Sequence, residues 1–396
     1  MTENNLILNK HTLIIINEQL ENYDTTTIDY VTNNFAGIII NNLDITYQEN
    51  LLIYLTGNIN VNLEKLQIFN NIFIIKELSY NFDKNDYCIS IDNIPLNIHN
   101  VGIFFKQYFD INKNYFDLIS EAHQFQLLKE SDKPTNAYRT GIYITKVEEL
   151  NDEIKFKLLR CSTNLNGSTD NFRDVDNEII NNVNKTAEYF FEEKTDLNHV
   201  LAQIYGNTKK NNKNKKAKIK AHSDKTKDML KNGVMAFCSF YHNHIETVNC
   251  DNIYEYCCNH PILLTKIKFR LKNSVIDEKY KKMFDIILYP NSLLLIPLST
   301  NRIYTHEIIP SGMPIENIPI RMGYVIRCSK TNSIYKNNKT YIYDNNNNLI
   351  ELEKPTIENI DNLKNLYYAE NMTTDIIDYG IVNFSLNEGD YEKPIV

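Results

Sequence analysis

Short apolar runs separated by asparagine-rich turns fill the first hundred residues: Leu13–Ile16, Gly37–Ile40, Leu51–Leu55, Ile72–Ile75 and Tyr87–Ile91. Runs this brief and this rich in isoleucine predict strands rather than helices, because β-branched side chains pack well on a pleated surface. Residues 1–97 show no repeat and no evident chemistry. From about Val101 the spacing changes. Tyr115, Phe116, Leu118, Ile119, Ala122, Phe125 and Leu128 recur at helical intervals. A second helix is marked by Phe172, Val175, Ile179, Val183, Ala187 and Phe190, with Ser168 or Thr169 placed to cap it. Between the two, Gly141–Val147 and Ile154–Leu159 read as paired strands.

Beyond Phe191 the runs become strand-like again: His199–Tyr205, Val234–Tyr241, Leu263–Leu271, Met283–Tyr289, Leu293–Pro297 and Arg321–Arg327. With no periodic helix among them, a sandwich or barrel is expected rather than an alternating β-α-β sheet. A hairpin around Asn345–Asn348, a short helix over Thr356–Tyr367 and a polar end complete the pattern. The expected class is mainly β with flanking helices (α+β).

Composition narrows the field. At 396 residues the chain holds two or three domains' worth of core, and 42% hydrophobic against 23% charged residues excludes wholesale disorder. No apolar run reaches the ~18–20 residues of a membrane helix, so no membrane partner is expected. Met1-Thr2-Glu3-Asn4-Asn5 lacks the basic start and apolar stretch of a secretory signal. Seven cysteines, an odd number without any C-x-x-C, suit a reduced intracellular setting, cytoplasmic or nuclear. A net charge of −8 argues against nucleic-acid binding through bulk charge. The charge is uneven, however: residues 209–220 (KKNNKNKKAKIK) hold seven lysines and no acid.

Three weak motifs carry candidate chemistry. His222-Ser223-Asp224 offers an imidazole and a carboxylate two residues apart, a spacing that faces one way on a strand. It equally suits a solvated turn before Lys225. His306 follows a buried apolar strand within NSLLLIPLSTNRIYTHEI (291–308), where a packed or surface histidine is the plainer reading. In Arg321-Met322-Gly323-Tyr324-Val325-Ile326-Arg327 the two arginines project from one face. Their separation of roughly 20 Å along the strand would leave a gap about the length of a five-carbon diacid between inclined side chains. An inward arginine is costly unless it meets an anion; the alternative is an edge strand with both arginines in water.

Taken in order, H-x-D, about eighty residues, His, then two arginines say more than each piece alone. Two imidazoles and a carboxylate on one face of Fe(II) leave three positions open. A 2-oxo acid occupies two and dioxygen the third, while a distal carboxylate pairs with the planar fork of an arginine. A different reading is a zinc site from His242, His244, Cys250, Cys257, Cys258 and His260, although adjacent cysteines depart from the usual C-x₂₋₄-C pairs.

On these residues, Val101 to Thr331 resembles the AlkB-like branch of the Fe(II)/2-oxoglutarate-dependent dioxygenases. FFEEKTDLNHVLAQIYGN (190–207) is similar to the segment entering that family's N-x-Y strand, and AHSDKTKDM to its H-x-D block. NRIYTHEI is similar to the S-R-x-x-x-H block, and RMGYVIR to R-x-N-x-T-x-R. The resemblance implies a double-stranded β-helix (jelly roll) core, with His222, Asp224 and His306 as catalytic iron ligands. Arg321 and Arg327 would hold 2-oxoglutarate, assisted by Tyr205. Gln203 replaces the family asparagine, and Gly323 and Val325 replace the polar pair of the arginine strand. The domains expected are 1–97, a β-rich region of unknown role; 98–331, the dioxygenase jelly roll; and 332–396, a C-terminal extension.

The implied reaction couples oxidative decarboxylation of 2-oxoglutarate by dioxygen, with ascorbate in support, to hydroxylation or oxidative demethylation of a substrate. Both histidines would be neutral and Asp224 ionised for ligation. Lys209–Lys220 could grip the phosphates of a modified nucleic acid, or form a solvated loop. Phe172, Tyr138 and Tyr143 are candidates for stacking a flipped base, with core packing as the simpler role. The alternatives are a hydroxylase of a protein or small molecule, and a non-catalytic jelly-roll binding module.

Overall fold

The computed structural model describes residues 4–8, 12–16, 25–40, 51–57, 71–79, 87–129, 136–160, 165–210, 213–242, 261–344 and 346–396. The N-terminal part contains β1 (Thr12–Ile16), α1 (Thr25–Asn34), β2 (Ile38–Ile40), β3 (Leu52–Gly57), β4 (Ile72–Ser79) and β5 (Cys88–Ile89). Next come β6 (Leu96–Ile98), β7 (Gly102–Phe105), α2 (Tyr115–Ala122), β8 (Gln126–Lys129) and β9 (Asn136–Thr145). They lead to β10 (Glu148–Leu150), β11 (Glu153–Leu158), β12 (Asp170–Asn171) and α3 (Asp174–Phe190). The central run is β13 (His199–Tyr205), β14 (Thr208–Lys210), β15 (Lys213–Lys215), β16 (Ile219–His222), β17 (Val234–Tyr241) and β18 (Lys266–Leu271). It continues through β19 (Met283–Ile287), β20 (Ser292–Pro297), α4 (Leu298–Ile303), β21 (Tyr304–Ile309) and β22 (Arg321–Arg327). The chain closes with β23 (Thr331–Lys336), β24 (Lys339–Tyr343), β25 (Leu349–Glu351) and α5 (Ile357–Met372).

The architecture is mainly β, with several antiparallel sheets and few helices. The first five strands form an all-parallel sheet in the order β2-β1-β3-β4-β5. A nine-stranded sheet runs β12-β9-β13-β22-β17-β20-β7-β6, with β8 added beside β9. A smaller antiparallel sheet, β16-β21-β18-β19, works with it at the site, and β10-β11-β23-β24-β25 makes a separate antiparallel layer. One apolar cluster runs without a break from Val31 and Tyr54 through Phe105, Phe190 and Phe240 to Cys328, so the parallel sheet and the large sheet share a core. Among the described residues no helix is long and apolar enough to cross a membrane.

Helix α3 shows how the pattern turns into packing. Ile179, Val183 and Phe190 are fully buried along one face, each contributing about 1.5–3 kcal/mol of transfer free energy. Its start differs from expectation. Neither Ser168 nor Thr169 caps it; Arg173 occupies the N-cap, and its backbone N–H donates to the Asp176 carboxylate at 2.8 Å.

Three further expectations are corrected. The helix expected to continue to Leu128 stops at Ala122, because His123 turns inward onto Asp170 and Asp176 and residues 126–129 pair with β9. The strands 141–147 and 154–159 do not pair with each other. β9 is taken by β13 in the large sheet, while β11 pairs with β10 and β23. In the N-terminal region α1 lies where only strands were read, its apolar signal being confined to Ile28, Tyr30 and Val31.

Candidate metal centre

Strand β16 ends at His222, and antiparallel pairing sets His222 opposite His306 on β21. Alternation along β21 buries Tyr304, His306 and Ile308, so His306 faces inward and the two rings stand 4.5 Å apart. The chain then leaves the sheet, and Asp224 returns to the same point. Its Oδ1 lies 3.4 Å from His222 Nε2 and 4.0 Å from His306 Nε2. One ligand atom from each of the three residues lies within 4.8 Å of the others.

The electrostatics suit ligation. Arg327 donates to Asp224 Oδ2 from Nε at 2.9 Å and Nη2 at 2.8 Å, leaving Oδ1 toward the imidazoles. Burial alone would raise the Asp224 carboxyl. The Arg327 guanidinium, aided by His222 and His306, outweighs it and holds the group well below the usual carboxylate range. Burial, then the neighbouring His222, lowers His306 to about 3, so its imidazole is neutral. His222 Nδ1–H donates to the Lys220 carbonyl at 2.9 Å, which orients the ring with Nε2 3.4 Å from Asp224 Oδ1 and leaves Nε2 as the atom available to a metal. His306 Nδ1 is buried with no hydrogen-bond partner among the described residues, so no second bond selects its tautomer. Two imidazole nitrogens and one carboxylate oxygen form a donor set that fits ferrous iron.

These residues open onto a cavity of about 490 Å³. Its floor comes from one face of two adjacent strands: Arg321, Gly323, Val325 and Arg327 of β22, and Leu201, Gln203 and Tyr205 of β13. The opposite face of β22, Met322, Tyr324 and Ile326, is fully buried in the core. Arg321 is also buried, its guanidinium 4.3 Å from the Tyr205 ring and its Nη1 donating to Ser239 Oγ at 3.2 Å. Its Nε has no hydrogen-bond partner among the described residues. Gly323 makes room for this stack: a Cβ there would sit 3.2 Å from Arg321 Nη1 and 3.3 Å from Tyr205 Cε2.

The other residues singled out in the sequence are placed as follows. Arg327 meets the Asp224 carboxylate, whereas Arg321 and the more exposed Arg139, which also line this cavity, have no acidic partner among the described residues. Gln203 Oε1 accepts from Arg139 Nη1 and from the Tyr205 hydroxyl, both at 3.4 Å. Of the lysine segment, Lys218 and Lys220 line the cavity and Lys216 donates to the carbonyls of Ser311 and Met313. The side chains of residues 208–214 lie outside the described residues. So does 243–260, which holds His244, Cys250, Cys257, Cys258 and His260; His242 contacts Asp117 at 3.0 Å. Phe172, Tyr138 and Tyr143 do not line the cavity; Tyr143 is buried against His199, and Lys215 lies over the Tyr138 ring.

Several participants carried no usable sequence signal. Asn301, Ser239, Arg139 and Tyr367 are reached only through the fold, although Asn301 lies five residues before His306 within the stretch already noticed.

No family model matches the chain, and no curated protein matches it. Among solved structures, one described as "The structure of OsALKBH1" aligns over 57% of this chain and 96% of that chain, at 12% identity and a TM-score of 0.32.

Proposed function

We propose that the protein is an Fe(II)/2-oxoglutarate-dependent dioxygenase whose jelly-roll core is built from the large sheet and the β16-β21-β18-β19 sheet. The observation that carries the reading is the convergence of His222, Asp224 and His306, with ligand atoms within 4.8 Å. When bound, iron with 2-oxoglutarate and dioxygen supplies the oxidising power for C–H hydroxylation. The chain's own work is positioning. His222 and His306 would offer Nε2 to the ion, and Arg327 keeps Asp224 ionised with Oδ1 facing the two imidazoles. Arg321, buried without a carboxylate partner among the described residues, is the natural anchor for the distal carboxylate of 2-oxoglutarate. The Tyr205 ring lies 4.3 Å from that guanidinium, and the missing side chain at Gly323 leaves it room.

Purified protein given Fe(II), ascorbate and 2-oxoglutarate releases succinate, slowly even without a primary substrate, and Asp224→Ala abolishes it. Release retained in that variant refutes the ligand set, and no release from the wild-type protein favours a binding module.

The cavity rim indicates the substrate's charge. Arg139, Lys218, Lys220 and Lys225 line it, and among the described residues Asp224, already paired with Arg327, is the sole lining carboxylate. An anionic substrate is therefore favoured, with modified nucleic acid as the leading class. Binding of methylated oligonucleotides should weaken steeply with salt, and less steeply once Lys218 and Lys220 are neutralised. A flat salt response points instead to a protein or small-molecule substrate.

A further inference from the structure

The loop after β16 has left its sheet, so its buried N–H groups need acceptors from elsewhere. Three side chains distant in sequence supply them. Ser223 N–H donates to Asn371 Oδ1 at 2.8 Å, Asp224 N–H to Asn301 Oδ1 at 2.8 Å, and Thr226 N–H to Glu370 Oε1 at 3.0 Å. Asn301 Nδ2 returns a bond to the Asp224 carbonyl at 2.9 Å. The Glu370 carboxylate also accepts from the Thr226 and Tyr379 hydroxyls. Lys225 donates to the Tyr367 carbonyl at 3.1 Å and lies over the same tyrosine ring.

Two of these acceptors, Glu370 and Asn371, are neighbours in the last turn of α5. Its buried residues are Leu363, which packs with Val382 and Phe384 and beside Tyr367, and Glu370. Polar contacts gather at its C-terminal end, where Lys272 donates to the Glu370 carbonyl at 2.7 Å and the Thr373 carbonyl at 2.9 Å. The C-terminal end of the helix is thus tied by hydrogen bonds to the loop that carries Asp224.

Resting on the reading of His222, Asp224 and His306 as iron ligands, we infer that α5 is a working part of the metal centre. Asn371 and Glu370 are positioning residues: they fix the backbone on both sides of Asp224, and Asn301 fixes Asp224 itself. A carboxylate oxygen can face two imidazoles only if its backbone is held in one orientation. Losing either acceptor strands a loop N–H and frees Asp224 to swing with its loop.

The test uses full-length protein and Co(II), followed by its absorbance, so that no turnover is needed. Wild-type protein binds Co(II) and Asp224→Ala does not, which checks the ligand set by itself. Asn371→Ala and Glu370→Ala each weaken Co(II) affinity about tenfold or more. Asn371→Asp and Glu370→Gln, which keep an acceptor oxygen in place, recover most of it. Tyr368→Ala, on the exposed side of the same helix, leaves affinity unchanged. Thermal unfolding of the metal-free proteins separates loss of fold from loss of positioning, and Asn371→Ser gives the same readout should an alanine variant not fold. Wild-type affinity in folded alanine variants overturns the proposal. Failure of the wild-type protein to bind Co(II) overturns the ligand reading and this one with it.

Discussion

His123 provides a stability prediction that can be worked through in numbers. It closes α2 and lies fully buried between two carboxylates, with Nδ1 2.8 Å from Asp170 and Nε2 2.8 Å from Asp176. Arg173 donates to Asp170 at 2.8 Å and the Tyr324 hydroxyl to Asp176 at 2.7 Å, so both acids stay fixed. Burial disfavours the imidazolium, but the two carboxylates outweigh it and raise His123 to about 9. An unfolded histidine titrates near 6.5, and the difference corresponds to about 3 kcal/mol. Because the folded value is the higher one, this contribution is complete below about pH 6.5 and is lost as pH rises through about 9. The assay is urea unfolding from pH 6 to pH 10 on wild-type protein and His123→Gln. Lys227 and Lys272, each lowered by burial to about 8, titrate in the same range with the opposite sign. The informative quantity is therefore the difference between the two proteins. That difference should shrink by about 3 kcal/mol across the range. A constant or growing gap would refute a charged imidazole between the two acids.

Arg160→Met removes the guanidinium that meets buried Asp228 Oδ1 at 2.7 Å and donates to the Phe384 carbonyl at 3.2 Å, leaving Lys227 as the carboxylate's ion-pair partner, and should cost about 3 kcal/mol in urea unfolding. Gly389→Ala places a Cβ 1.9 Å from the Gly167 carbonyl oxygen; backbone cannot yield as a side chain can, so a loss of about 1–3 kcal/mol is expected, and an unchanged melting temperature would contradict this packing. Gly323→Ala pushes Arg321 by a few tenths of an ångström. Succinate-release kinetics should then show a higher KM for 2-oxoglutarate with kcat nearly preserved, whereas an equal fall in kcat at unchanged KM would count against Arg321 as the anchor.

Strand positions were legible wherever a run of apolar residues met its own period: β13, β17 and β22 fall where His199–Tyr205, Val234–Tyr241 and Arg321–Arg327 predict. Pairing was not, because register depends on partners far along the chain; β9 and β11 look like neighbours in sequence yet join different sheets. The arginine strand shows the same limit at the site. Its period correctly puts Arg321 and Arg327 on one face, but nothing local says that Arg327 meets Asp224 while Arg321 lies over Tyr205. Hydrogen bonds to loop backbone, such as that from Ser223 to Asn371 across 148 positions, leave no periodic trace at all.

The distance between Ser223 and the acceptor of its N–H, Asn371, bears on synthesis. As the chain emerges from a ribosome, both sheets and all of His222, Asp224 and His306 appear before the last turn of α5 is made. Until then the amides at 223 and 226 can be satisfied only by water or by transient partners. The aspartate loop therefore takes up its final hydrogen bonds only after the strands on which His222 and His306 lie have been made.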